Sequence, residues 1–139
     1  MEITANALQT VEANQNVIFT DTVVCGSYSI LHREGSGLVT LRGLTSQCRA
    51  RFRATFGGNI AIPADGTVGP ISLAIAINGE PVATTTMIQT PAAVEQFHNV
   101  SSSIFLDVPA NCCAQLSVRN VSDQAIDVQN ANLIVERVA

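Results

Sequence analysis

The sequence predicts an all-β antiparallel domain, a sandwich or barrel, and three observations carry that prediction. Apolar residues alternate with polar ones through much of the chain, while helical spacing is hard to find. The alternating runs are short, as strands are. Turn signals such as Asn78-Gly79 and Asp65-Gly66 fall between them at regular intervals.

The elements follow in order. Residues 1–15, with Thr4, Asn6 and Gln9, read as a polar N-terminal segment available to dock on a partner, and 16–139 as the folded domain. Asn16 to Val24 (NVIFTDTVV) reads as its first strand. Ser27 to His32 and Leu38 to Arg42 form a hairpin around Glu34-Gly35-Ser36-Gly37. Arg49 to Ile62 is a long strand, and Gly57-Gly58 within it suggests a bulge or a close backbone approach. The clearest strand is Ile71 to Ile77, with Ile and Leu on one face and Ser or Ala on the other. Asn78-Gly79 then turns the chain, because both residues tolerate positive φ. Pro81 to Ile88 returns it. Val100 to Val108, Ala114 to Asn120 and Ile126 to Val138 complete the set. No linker, low-complexity stretch or internal repeat interrupts them.

Composition bounds the function. The 139 residues make one domain, 47% hydrophobic but only 13% charged. Charged residues usually make up about a quarter of a soluble domain, so this surface is neutral and polar, and some of it is expected to lie under other subunits. The net charge is −4 and lysine is absent, which disfavours nucleic acid as a partner. Glu2 and the polar residues after it do not resemble a secretory leader, so folding in a cytoplasm is expected. No apolar run reaches the roughly 18 residues of a membrane span, and membrane insertion is not expected. Cys25, Cys48, Cys112 and Cys113 form no C-x-x-C motif. In a reducing compartment they read as small buried hydrophobes, with a disulfide or a metal site as the alternatives.

Two strands carry more. Leu133-Ile134-Val135 breaks alternation, so apolar side chains leave both faces of the last strand. Either its second face is buried against another chain or the strand end is tucked under a loop. In Arg49-Ala50-Arg51-Phe52-Arg53-Ala54-Thr55-Phe56, three guanidinium groups share one face and Ala and Phe fill the other. Such a row repels itself, so it calls for carboxylates on neighbouring strands or for an external anion or acidic partner. Asp107, Asp127, Glu136 and Glu95 are the candidate carboxylates.

Catalytic signatures are missing. His32 and His98 belong to no metal motif, and no nucleophile elbow, phosphate loop, dinucleotide fingerprint or calcium loop occurs. No enzyme, cofactor or metal is expected, and surface or hydrogen-bonded roles are expected for both histidines. Asn99-Val100-Ser101 and Asn120-Val121-Ser122 fit the glycosylation sequon and read as chance matches. Aromatics at 4% supply few platforms for stacking on sugars.

The order of elements resembles the C1q and tumour-necrosis-factor superfamily, closest to bacterial and phage C1q-like domains. Asn16-Val17-Ile18-Phe19 is similar to the opening strand of that family. Ser29-Ile30-Leu31-His32, Gly35-Ser36-Gly37 and Leu38-Val39-Thr40-Leu41 resemble its I-x-Y-x-x-x-T-G-x-F-x-V hairpin, with Gly43 at the turn. Ile75 to Val82 resembles L-x-x-N-G-x-x-V, and Val108 to Val118 takes the place of L-x-x-G-D-x-V-x-L-x-V. The likeness spans nearly the whole chain, but its motifs are loose. Cys48 to Phe52 replaces the family's aromatic-rich strand, and Asn111-Cys112 its Gly-Asp turn.

The resemblance implies a ten-strand jelly-roll sandwich that packs as a compact homotrimer. It places the trimer interface on the strands of Phe19, Phe52, Phe56, Phe105, Leu133, Ile134 and Val135, with Arg49, Arg51 or Arg53 near the axis against acidic groups or an anion. The expected function is a non-enzymatic structural trimer of a bacteriophage virion, a capsid decoration or head-fibre type of accessory assembled in the bacterial cytoplasm. Its partners would be itself and other virion proteins. The alternative is a receptor- or glycan-binding head on a surface fibre.

Overall fold

A computed structural model describes residues 1–139 as two antiparallel sheets packed face to face. There is no α-helix. The strands are β1 (Glu2–Ala5), β2 (Gln9–Val11), β3 (Asp21–Val24), β4 (Ile30–His32), β5 (Val39–Arg42), β6 (Arg49–Ala61), β7 (Ile71–Ile77), β8 (Glu80–Pro81), β9 (Met87–Gln89), β10 (His98–Pro109), β11 (Cys113–Asn120) and β12 (Ile126–Arg137). The front sheet runs β10-β6-β12-β1-β3, with β2 also paired to β12. The back sheet runs β4-β5-β11-β7-β8, with β9 also on β7.

Alternation decides which side chains enter the space between the sheets. Along β6, Ala50, Phe52, Ala54 and Phe56 point in and are fully buried, while Arg49, Arg51, Arg53 and Thr55 point out. From β12, Leu133 and Val135 join them, and Val39, Leu41, Leu73, Ile75, Leu116 and Val118 close the core from the back sheet. Phe19 meets Phe56 edge to face, ring centroids 6.4 Å apart. A single core of 28 buried residues results.

Several expectations need correction. Residues 1–15 are not separate from the folded domain: β1 lies between β12 and β3, β2 pairs with β12, and Ile3, Ala5 and Val11 are core residues. There are twelve strands rather than ten. Against the nine strands named one by one in the sequence, β1 and β2 are added at the N-terminus. The chain returning from Asn78-Gly79 supplies one more, because a 3₁₀ turn at Ala83–Thr85 splits it into β8 and β9. Thr85 is buried there, and its hydroxyl is bonded to both backbone groups of Ile75. Asn16 to Val24 is strand only from Asp21, and Phe19 reaches the core from an isolated bridge to Ser36. Neither glycine is forced by a close backbone approach: a Cβ on Gly57 would meet nothing, and one on Gly58 would crowd the Phe56 ring at 3.2 Å but only touch Ala131 Cα at 3.5 Å. The irregularity itself lies in the facing strand, between Gln129 and Asn132, where Asn130 takes φ 56°.

The cysteines are not buried. Cys25, Cys48, Cys112 and Cys113 are all exposed free thiols. Cys112 sits in the turn between β10 and β11, and Cys25 and Cys48 lie just outside strands, so none is on an inward register position. Cys113 begins β11 on its outward side.

Candidate functional site

The outer face of the front sheet brings the singled-out residues together in cross-strand rows. Asp107 lies opposite Arg51; Phe105, Arg53 and Glu136 form the next row; Ser103, Thr55, Ile134 and Glu2 form the one after it. Neighbours in such rows are within interaction distance. The arginine repulsion is relieved inside the chain. Asp107 accepts from Arg51 through two bonds, Nε at 2.8 Å and a second nitrogen at 3.1 Å, and Arg49 Nε lies 3.0 Å from the same carboxylate. Arg53 pairs with Glu136 at 2.6 Å.

The hydrogen bonds from Arg51 hold the Asp107 carboxyl below the ordinary aspartate range, aided by the charges of Arg51 and Arg49. The same contact raises Arg51. Of the four candidate carboxylates, two therefore meet the row and two do not. Asp127 accepts instead from the Thr10 hydroxyl at 2.8 Å, and Glu95 sits in a turn at φ 58° near the other end of the sheet.

The proposed interface residues divide sharply. Phe105 is 61% exposed and Ile134 is 40% exposed, both on this outer face. Phe19, Phe52, Phe56, Leu133 and Val135 are fully buried within the single chain. They seal the front sheet against the back sheet and offer nothing to a second chain. Leu133-Ile134-Val135 does send apolar groups both ways: two into the core and Ile134 outward.

Sequence reasoning missed a hollow of about 590 Å³ at the end of β4, lined among others by Cys25, Tyr28, Leu31, His32 and Glu34. Tyr28 is 84% exposed there. His32 Nε2 lies 2.9 Å from the Ser36 carbonyl, and its buried Nδ1 has no partner. These residues come from a loop and a three-residue strand and spell no motif, so only the fold assembles them. No three His, Cys, Asp or Glu side chains come together as a metal-binding group. Of the two sequons, Asn120 is fully buried, donating to the carbonyls of Val11 and Gln124, while Asn99 is exposed on β10.

No family model and no curated protein matches the sequence. Solved structures do. The globular domain of zebrafish complement 1qA protein superposes with a TM-score of 0.63 over 96% of this chain and 93% of its own, at 12% identity. A CBM35 from Cellvibrio japonicus Abf62 (TM-score 0.45, 9% identity, 100% and 98% coverage) and the C-terminal domain of EclA, a sugar-binding protein (0.43, 14%, 95% and 80%), are more distant. Scores that low carry no inference about this chain. The geometry defines an antiparallel β-sandwich. More narrowly, it is a jelly roll of the C1q-like fold.

Proposed function

We propose that the chain is a non-enzymatic module that works as a homotrimer, packed through the outer face of the front sheet. One observation carries the reading. Among the exposed apolar side chains, Phe105 and Ile134 lie on this one face in successive cross-strand rows, on the strands either side of β6. Exposed apolar groups scattered singly need no explanation, whereas two that flank Arg53 and Thr55 on one open sheet face favour a contact there. The likeness to the C1q and tumour-necrosis-factor superfamily, whose members form compact trimers, supports a three-fold arrangement. Within it the Arg49, Arg51 and Arg53 row is a ladder of internal ion pairs at the rim of the contact. We place such a trimer on a virion as a decoration or head-fibre accessory, a reading that rests on the small, charge-poor domain and its resemblance to phage C1q-like domains.

A second reading, a receptor- or glycan-binding head, is favoured by the hollow at Tyr28. An exposed ring beside Glu34 and His32 combines a stacking surface with polar groups.

Light scattering on the whole chain tests the premise: about three times 14.6 kDa is expected, and a mass of 14.6 kDa at micromolar concentration refutes the trimer. Co-sedimentation with capsids separates the virion role from glycan binding. Retention on a glycan array that Tyr28→Ala abolishes supports the second reading.

A further inference from the structure

We propose that copies of this chain also associate end to end, the arginine-bearing end of one sandwich resting on the acidic end of the next. The contact uses the tips of the strands rather than the outer face of the front sheet, so it stands apart from the trimer reading.

Strand register defines the two ends. Arg49 pairs with Pro109, Arg42 with Cys113 and Arg137 with Phe52, which brings these residues to one end of the sandwich. His98 pairs with Ile60, Asp127 with Ala61 and Ile126 with Val11 at the other.

Charge is segregated between them. The first end holds Arg42, Arg49, Arg51, Arg53 and Arg137, five of the seven cationic side chains of the protein, against Asp107, Glu136 and, closing the β7–β8 turn beside Gln115, Glu80. Two positive charges are left over. Arg137 is bonded to the Leu44 carbonyl and to an Ala139 oxygen rather than to an acidic side chain, Arg42 has no ion pair, and Arg49 shares its carboxylate with Arg51.

The opposite end gathers acids and no arginine. Glu12 follows β2, and Asp65 lies in the turn after β6. The Glu95 amide donates to the Ile62 carbonyl, and Asp123 adjoins Gln124, which is bonded to Thr67. All four are exposed and none is in an ion pair. Asp127 lies at this end too, but it is buried.

The net charge of −4 therefore misdescribes what a neighbour feels. The 13 residues of β6 separate the ends by about 40 Å, whereas screening at physiological salt acts over about 8 Å. Each end acts on its own. Each also offers a small apolar contact beside its charges: Leu44 and Val138 next to the arginines, and Val68 at a hollow of about 410 Å³ that Asp123 and Gln124 help to line. Charge complementarity is thus carried by the two ends of one chain, which selects a second copy as the occupant. A head-to-tail contact of this kind does not close, so it builds columns.

Sedimentation velocity on the whole chain at about 20 mM and about 500 mM salt tests the proposal. Species larger than the basic particle are expected at low salt, with the concentration of half-association rising at least about tenfold at high salt. Arg49→Glu with Arg137→Glu makes both ends acidic; Asp65→Arg with Asp123→Arg cancels the charge of the acidic end and leaves the arginine end basic. Each double variant alone should lose the larger species, and an equimolar mixture should regain them. Circular dichroism checks folding, and the milder Arg49→Gln with Arg137→Gln should weaken association in step. An unchanged mass at both salts, or association that survives both double variants, overturns the proposal. So does capture of polyphosphate by the arginine end without self-association, which would make the partner an external polyanion. The particle mass at high salt reports the trimer separately, so the two readings fail independently.

Discussion

The two faces of the front sheet are made from the same strands and do opposite work. On the inner face, Phe52, Phe56, Leu133 and Val135 are sealed against the back sheet. On the outer face, Phe105 and Ile134, the latter standing between Leu133 and Val135 in sequence, remain open beside arginine–carboxylate pairs. Period-2 alternation assigns side chains to faces, but it does not say whether a face meets the partner sheet or another molecule. Burial within one chain makes that distinction.

The largest expected effect is on the inner face. Leu133→Asp places a charge among fully buried apolar groups and should cost more than about 4 kcal/mol, enough to prevent folding in a domain of ordinary stability. Phe56→Ala should cost about 3–5 kcal/mol, since it empties the site where Phe19 and Gly58 pack on the ring. Urea denaturation measures the second, and circular dichroism the first. A Phe56→Ala variant within about 0.5 kcal/mol of wild type would show that the inner face is not the core.

The outer face should respond in assembly rather than in folding. Ile134→Asp combined with Phe105→Ser removes both exposed apolar groups, and neither side chain fills core space. The variant is expected to fold and to scatter light as a 14.6 kDa particle, while the wild type does so as about three copies. Wild-type mass in this variant would move the contact to another surface. Loss of folding together with loss of mass would erase the contrast between the faces.

How far the sequence could be read follows from the same contrast. The sandwich was legible because β6, β7, β10, β11 and β12 each carry long alternation, and Asn78-Gly79 and the Pro109 to Cys112 turn mark where the chain reverses. The short strands β1 and β2 were not. Their Ile3, Ala5 and Val11 are too few to show a period, and only pairing to β12 makes them core. The arginine partners Asp107 and Glu136 were legible as candidates because outward positions on neighbouring strands meet. The thiols were misjudged for the opposite reason: burial of cysteine is a tendency of the residue type, while exposure is set by turn and edge positions that composition does not reveal. Charge segregation between the two ends needs strand direction, which no local pattern contains.

The smallest expected effect tests the ladder that divides the outer face. Asp107 is ionised and bonded by Arg51 and Arg49, and its carboxyl is held below the ordinary aspartate range. A group whose folded pKa is depressed contributes stability above its unfolded value and loses it as the pH falls through the folded one. Asp107→Asn should therefore lower Tm by no more than a few degrees between about pH 5 and 8, because the pair is exposed. Below about pH 4 the gap should close, since protonated Asp107 and asparagine then present the same neutral group to Arg51. Added salt should narrow it at neutral pH by screening. A gap that persists unchanged at low pH would mean that Asp107 acts through its shape or its hydrogen bonds alone, and the ladder would then divide the outer face without the help of charge.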